Sequence, residues 1–172
     1  MNINSKEELK ELIKELIEEC LREREIEKEL NLLTEDNKNI DVKTVSKKLV
    51  PRFYEHTIKY RYNPEHQTQS WVNSIMQSVT MIRKILSSKS LYNDFIENYS
   101  NKMHDLFIDG ANDCFCYNRY ITIQDAENIY NEFDTIDKII DINKVKDFCL
   151  KYAKNDNIRR EVENKVKENV NN

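Results

Sequence analysis

The amino-acid sequence predicts an all-α protein, a helical bundle with a long N-terminal amphipathic helix and a central antiparallel helix hairpin. The chain has 172 residues but one glycine and two prolines, and tight β-hairpins need residues that accept positive φ. Apolar residues recur every three or four positions along most of the chain, the spacing of a helix with one buried face. Nine tyrosines and six phenylalanines supply a core that a disordered, highly charged chain lacks.

The first predicted helix begins at Ser5, which forms a capping-box pattern with Glu8. Its apolar positions form a stripe wide enough for a bundle face, and we predict that this stripe is a protein interface. The interface residues are Leu9, Leu12, Ile13, Leu16, Ile17 and Cys20. Beyond Leu21 the helix is more charged. We therefore predict a helical association arm over 1–33, a polar loop over 34–39 and a bundle domain over 40–172.

Two prolines organise the next part of the chain. Asp41 is the expected N-cap of a short helix that ends at Pro51, and Pro51 opens a segment that runs to Tyr62. That segment fits either a helix or a strand. Asn63 and Pro64 together form a helix start, which begins the central hairpin.

The predicted hairpin covers 64–108 and consists of two amphipathic helices joined by a polar turn at 87–90. The only glycine, Gly110, follows the second helix and is the expected left-handed C-terminal cap. Thr122 and Asp125 form a second capping-box pattern. Three or four shorter helices are predicted to follow.

Composition excludes several classes of function. Gly-rich phosphate loops and nucleophile elbows need glycines that the chain lacks. The longest apolar run is four residues, 114–117, so we expect no membrane span and a cytoplasmic protein. Cys114, Cys116, His104 and Cys149 could be combined into a zinc site, but the Cys-x-Cys spacing favours buried thiols. We therefore predict no metal and no cofactor.

Charge is unevenly distributed along the chain. Between Lys43 and Tyr62 there are six basic residues and one acid, whereas 89–141 has eleven acids and four basic residues. Basic and aromatic residues in alternation are typical of surfaces that bind nucleic-acid backbones and stack bases. The candidate nucleic-acid contacts are Lys43, Lys47, Lys48, Arg52, Tyr54, Lys59 and Arg61.

Arg61 and His66 are separated by four residues. This R-x4-H spacing resembles that of the HEPN family of helical ribonucleases. The resemblance covers only these two residues. It implies that the pair holds the scissile phosphate and assists proton transfer when the 2′-OH attacks.

The sequence favours a non-catalytic protein-binding module, such as a small inhibitor, an immunity-type protein, an adaptor or a regulator. The net charge of −4 predicts a partner with a basic surface, and the N-terminal helix predicts self-association as an alternative. The second hypothesis is a nucleic-acid-binding regulator that uses 43–62. The third is a HEPN-like ribonuclease.

Overall fold

The computed structural model describes residues 41–117 and 121–170 and seven positions near the N-terminus. Those seven are Lys10, Ile13, Lys14, Ile17, Leu21, Arg24 and Lys28. The chain divides into two compact units, Met1–Ile40 and Asp41–Asn172. The predicted cap at Ser5 and Glu8 and the predicted loop 34–39 lie outside the described residues.

The all-α prediction is confirmed, since every regular element among the described residues is helical. The α-helices are α1 (Val42–Thr44), α2 (Val50–Tyr62), α3 (Gln69–Leu86), α4 (Lys89–Tyr99), α5 (Met103–Tyr117), α6 (Ile123–Glu132), α7 (Ile136–Ile140), α8 (Ile142–Tyr152) and α9 (Asp156–Val170). A π-helical segment, Val45–Leu49, joins α1 to α2, and 3₁₀ turns occupy Pro64–His66 and Ser100–Lys102.

Helix α2 is the centre of the second unit. Its first eleven residues are all buried, because the helix packs on α3, α5 and α6 and also contacts α8. The ambiguous segment after Pro51 is therefore helical. The predicted two-helix hairpin over 64–108 is not confirmed. That range contains α3, α4 and the first part of α5, with a 3₁₀ turn between α4 and α5. The most extensive packing of α3 and α5 is on α2.

Pro51 does not end a helix, contrary to the prediction. The chain is helical without interruption from Val42 to Tyr62, and the π turn lets the Val50 N–H donate to the Val45 carbonyl five residues back. A proline lacks the N–H that an α-helix would need and crowds the preceding turn. The wider π turn accommodates that proline within a continuous helix.

Gly110 is also placed differently from the prediction. It lies inside α5 rather than at a C-terminal cap, and α5 continues to Tyr117. A Cβ atom at Gly110 would stand 2.2 Å from the carbonyl oxygen of Pro51. Helices α2 and α5 approach each other so closely that only a residue without a side chain fits between them.

Buried hydroxyl groups connect α2 to the C-terminal helices. The Tyr54 hydroxyl donates to the Phe133 carbonyl at 2.6 Å, and the Tyr60 hydroxyl donates to the Cys149 carbonyl at 2.7 Å. Burial raises the pKa of both tyrosines well above its usual value. Each phenol therefore stays protonated and keeps its bond to a backbone carbonyl.

Two predicted helix caps are confirmed. The Asp41 carboxylate accepts from the Thr44 N–H at 2.9 Å. At α6, the Thr122 hydroxyl accepts from the Asp125 N–H and the Asp125 carboxylate accepts from the Thr122 N–H, at 3.2 and 3.1 Å. This reciprocal pair is a complete capping box.

Candidate functional site, an exposed apolar stripe

Large apolar side chains are exposed at only a few of the described positions. They are Ile13, Ile17, Leu21 and Ile123. The first three belong to the N-terminal unit and are spaced four residues apart, with exposed fractions of 46%, 54% and 55%. Residues at this spacing occupy one face of an α-helix, and all three are helical. They form a row of half-exposed aliphatic side chains.

Four cationic residues extend this row. Lys10 and Lys14 lie on either side of Ile13 in sequence, and Arg24 and Lys28 follow Leu21; all four are helical and exposed. At 3.6 residues per turn, the seven positions fall within one sector of about 100°. We call this set the N-terminal stripe. It comprises Lys10, Ile13, Lys14, Ile17, Leu21, Arg24 and Lys28.

The four basic residues of the stripe belong to an acidic segment of the chain. Residues 1–33 contain ten acids and six basic residues, so this segment accounts for the whole net charge of −4, and residues 34–172 carry 21 of each sign. No acid occupies a position of the N-terminal stripe. The described positions of this segment are basic or aliphatic, and its ten acids lie outside the described residues.

The predicted interface residues are only partly described. Ile13 and Ile17 are exposed, whereas Leu9, Leu12, Leu16 and Cys20 lie outside the described residues. The cations of the stripe were missed because the sequence prediction followed apolar residues alone. Helical spacing applied to the basic residues would have found them.

Six of the seven predicted nucleic-acid contacts separate into two groups, and the seventh, Arg61, is half-buried. Lys43, Lys47 and Lys48 are exposed. Arg52, Tyr54 and Lys59, by contrast, are at most 6% exposed, and this corrects the prediction that they contact nucleic acid. Their helix, α2, is surrounded by other helices, so its side chains from Val50 to Tyr60 are buried on every side of the helix.

Helix α2 carries a row of buried polar side chains at helical spacing. Arg52, Glu55, His56 and Lys59 are 6%, 4%, 2% and 2% exposed. The Lys59 ammonium lies 2.9 Å from the Glu55 carboxylate. The Arg52 guanidinium donates to the Gln77 amide oxygen at 3.1 Å and to the Ser74 hydroxyl at 3.3 Å. Burial makes such bonds costly to break, because a charge without its partner is destabilising.

Arg61 and His66, the predicted ribonuclease pair, have different surroundings. The Arg61 guanidinium lies over the rings of Tyr62 and Tyr152, 4.8 and 4.7 Å from their centroids, and 4.0 Å from the Glu132 carboxylate. His66 is exposed in the 3₁₀ turn after α2. Stacking and charge hold Arg61 against α6 and α8, which is a structural role, and its catalytic role stays a prediction.

A family model matches residues 19–113, more than half of the chain, and describes DUF29, a domain of unknown function. The protein belongs to this family. No curated protein and no solved structure matches the sequence. The DUF29 region contains the second half of the N-terminal stripe, all of α2 to α4 and the contact between Pro51 and Gly110. Helices α6 to α9 lie beyond it.

The cysteines of this DUF29 protein whose side chains the structure describes are buried. They are the thiols of Cys114 and Cys149, and burial raises the pKa of Cys149 far above its usual value. A protonated thiol is a poor nucleophile and a poor metal ligand. His104 contacts the Glu127 carboxylate at 3.1 Å, and the side chain of Cys116 lies outside the described residues.

One membrane-related finding concerns the helices of the described ranges, 41–117 and 121–170, and the seven N-terminal positions. None of these helices has the length and apolar character that are needed to cross a bilayer.

Proposed function

We propose that this DUF29 protein is a protein-binding module and that the N-terminal stripe is its docking surface. The supporting observation is the row formed by Ile13, Ile17 and Leu21, three half-exposed aliphatic side chains at successive helical turns. Single exposed apolar residues are normal on a protein surface, but a contiguous apolar patch is typical of an interaction site. Amphipathic helices that dock into grooves use anchors at this spacing.

Charge and burial favour a protein partner over nucleic acid. Three of the seven predicted nucleic-acid contacts are buried, and residues 1–33 carry more acids than bases. Binding to nucleic acid depends on basic residues that neutralise phosphates. The apolar anchors of the stripe instead suit the apolar groove of another protein, where their burial stabilises the complex.

The experiment compares the full-length chain with two variants. In the first, Ile13, Ile17 and Leu21 are all changed to Gln, which keeps a helix-compatible residue but removes the apolar row. In the second, Ile123→Gln changes an equally exposed isoleucine, 52% accessible, outside the stripe. Circular dichroism and thermal unfolding first establish that both variants remain folded.

Each protein is then immobilised and exposed to an extract of the native host, and bound proteins are quantified by mass spectrometry. We expect proteins captured by the parent and by Ile123→Gln to be lost from the triple variant. Equal capture by all three proteins would contradict the proposal. Light scattering on the same samples reports self-association, which the triple variant should abolish if the partner is a second copy.

A further inference from the structure

Two stretches of the second unit contain no acidic residue, although the chain has 31 acids in 172 residues. They are 42–54 and 66–93, which include α1, the π turn, the start of α2, all of α3 and the start of α4. The π turn and α2 pack on α3, and α1 packs on α4. The fold therefore joins two separate parts of the sequence into one region without acids.

Four exposed lysines lie at one end of this region. The Arg52 guanidinium bonds to side chains in the middle of α3, whereas α1, about two helical turns before Arg52, contacts α4. The helix that contains Arg52 therefore runs antiparallel to α3 and begins beside the C-terminal end of α3. This places Lys43 and Lys47 at the same end as Lys84 and Lys89, and all four are exposed. We call these four lysines the basic face.

The positive charge of the basic face is not neutralised by the part of the chain that the structure describes. None of its lysines forms an ion pair with a described acid. Lys48 already interacts within the chain and is not part of the face. The nearest acids in sequence are Asp41 and Asp94, whose carboxylates accept hydrogen bonds from Thr44 and Asn98.

The outer side of α3 continues the basic face with uncharged polar residues. Gln69 and Asn73 are exposed and Thr80 is half-buried, and together with Lys84 they fall within a sector of about 60° at 3.6 residues per turn. From Gln69 to Lys84 this side is about 22 Å long. Amide, hydroxyl and ammonium groups are the side-chain groups that contact phosphate and sugar oxygens.

We propose that the basic face binds the phosphate backbone of a nucleic-acid duplex. Lys43 and Lys47 are among the predicted nucleic-acid contacts, and the fold adds Lys84 and Lys89 in place of the contacts that are buried. Lysine is a point charge without the planar fork of arginine, so we expect binding without sequence preference. The basic face and the N-terminal stripe belong to different units, and the duplex is a second partner in addition to the docked protein.

Other anionic partners fit the basic face less well. Ile123 of α6 is the exposed large apolar side chain among the described residues of the second unit, whereas a bilayer or an acidic amphipathic helix needs apolar anchors. A single strand stacks its bases on exposed aromatic rings. Trp71 and Tyr92 are half-buried, and the Tyr92 hydroxyl donates to Asp137 at 2.8 Å.

The two units also differ in charge. Residues 41–172 carry 20 basic residues and 19 acids, whereas the ten acids of residues 1–33 belong to the other unit. Charges more than about 8 Å apart are largely screened at physiological ionic strength. Binding is measured on the full-length chain, so any repulsion by the acids of residues 1–33 is included in the result.

The test measures fluorescence anisotropy with a labelled DNA duplex of about 20 base pairs, which at 3.4 Å per base pair is longer than the face. An RNA duplex, a DNA single strand, polyglutamate and phosphatidylserine vesicles are compared with it. Four phosphate contacts predict a slope of about −3.6 when the logarithm of the affinity for DNA is plotted against the logarithm of salt concentration. Binding of either duplex with such a slope supports the inference.

Two double variants test the basic face after circular dichroism has established that they are folded. Lys43→Glu with Lys84→Glu removes two contacts, so we expect at least about tenfold weaker binding at about 50 mM salt and a slope of about −1.8. Lys47→Gln with Lys89→Gln introduces no acid and should change the slope by the same amount.

The control is Lys102→Glu with Lys151→Glu, which makes the same charge change at exposed positions outside the basic face and should keep the parental slope. An unchanged slope in both test variants, or an equal loss in the control, would overturn the inference, because binding would then follow net charge alone. Failure to bind either duplex at about 50 mM salt would also overturn it. Tighter binding of the single strand, polyglutamate or the vesicles would reject the duplex in favour of that partner.

Discussion

Gly110 shows how one residue sets the distance between two helices. Both chain segments at this contact are helical, and a Cβ added at residue 110 would lie nearest to the carbonyl oxygen, carbonyl carbon and Cα of Pro51. Backbone atoms inside a helix cannot rotate away as a flexible side chain can. Any side chain at residue 110 must therefore push α2 and α5 apart.

We predict that Gly110→Ala lowers the free energy of unfolding. Alanine is favoured over glycine in a helix by about 1 kcal/mol, but overpacking of a buried contact costs about 1–3 kcal/mol. Because a Cβ would lie 2.2 Å from a backbone oxygen, we place the overpacking cost at the upper end of its range. We therefore expect urea unfolding to show a net decrease of about 1–2 kcal/mol in the free energy of unfolding. The control is Asn112→Ala, an exposed position on the same helix, which should not lose stability. A gain for Gly110→Ala would show that the helices separate at no cost.

The same residue marks a limit of prediction from sequence. A glycine near the end of an apolar pattern fits a C-terminal cap and a close helix contact equally well, and its contact, Pro51, is 59 residues away in the chain. Arg52 and Lys59 illustrate the same limit, because a basic residue on a helix is normally exposed. Only the packing of α3, α5 and α6 around α2 reveals that these two are buried.

At the scale of the helices, local sequence patterns predicted where a helix begins better than whether a helix continues through a proline. The caps at Asp41 and Thr122 depend on residues three positions apart, and both are present in the structure. Pro51 was predicted to end a helix because a regular α-helix cannot accept it. The chain instead widens to a π turn over Val45–Leu49, a rare geometry that apolar periodicity does not detect.

The capping box of α6 predicts a pH-dependent contribution to stability. Hydrogen bonds from Thr122 lower the pKa of Asp125 below its usual value, so the folded state favours the carboxylate. Its contribution is therefore present above the unfolded pKa, about 3.9, and is lost as the pH falls through the lower folded value. We expect Thr122→Ala to lose about 1 kcal/mol at neutral pH, and this difference should shrink in acid.

Urea unfolding at neutral pH and at about pH 3, below the unfolded pKa, measures both effects. The matched control is Thr135→Ala, because Thr135 is the N-cap of α7 but makes no capping hydrogen bond with its side chain. Its stability should change little at either pH. Equal losses for the two variants at neutral pH would mean that the Thr122 bonds contribute nothing to stability.

At the scale of the whole molecule, composition predicted the fold class but not the layout of charge. The low glycine content and the helical periodicity are properties of the entire chain, and they were sufficient for an all-α assignment. The candidate docking surface was predicted only at Ile13 and Ile17. Its cations were missed because the prediction followed apolar residues alone and treated residues 1–33, with ten acids and six basic residues, as uniformly acidic.

Alkaline pH tests how the C-terminal helices are held to α2. The Tyr54 and Tyr60 hydroxyls are buried donors to the carbonyls of Phe133 and Cys149, and burial raises the pKa of both phenols. A raised pKa gives stability that is fully present below the unfolded value, about 10, and is lost as the pH rises toward the folded value. Above about pH 10 each phenol should reduce the free energy of unfolding by up to about 1.4 kcal/mol per pH unit.

Replacing these tyrosines with phenylalanine separates this effect from general alkaline damage. Tyr54→Phe with Tyr60→Phe should be less stable at neutral pH, because the two carbonyls lose their donors at about 1 kcal/mol each. The pH dependence above about 10 should also be flatter than in the parent, because two groups that ionise only on unfolding are gone. Tyr99→Phe, a half-buried tyrosine of α4, should keep the parental slope. If the double variant keeps the parental slope as well, the two phenols ionise within the folded protein. Apolar contacts would then hold α6 and α8 to α2. One such contact joins Phe53 and Phe133, whose ring centroids are 5.1 Å apart.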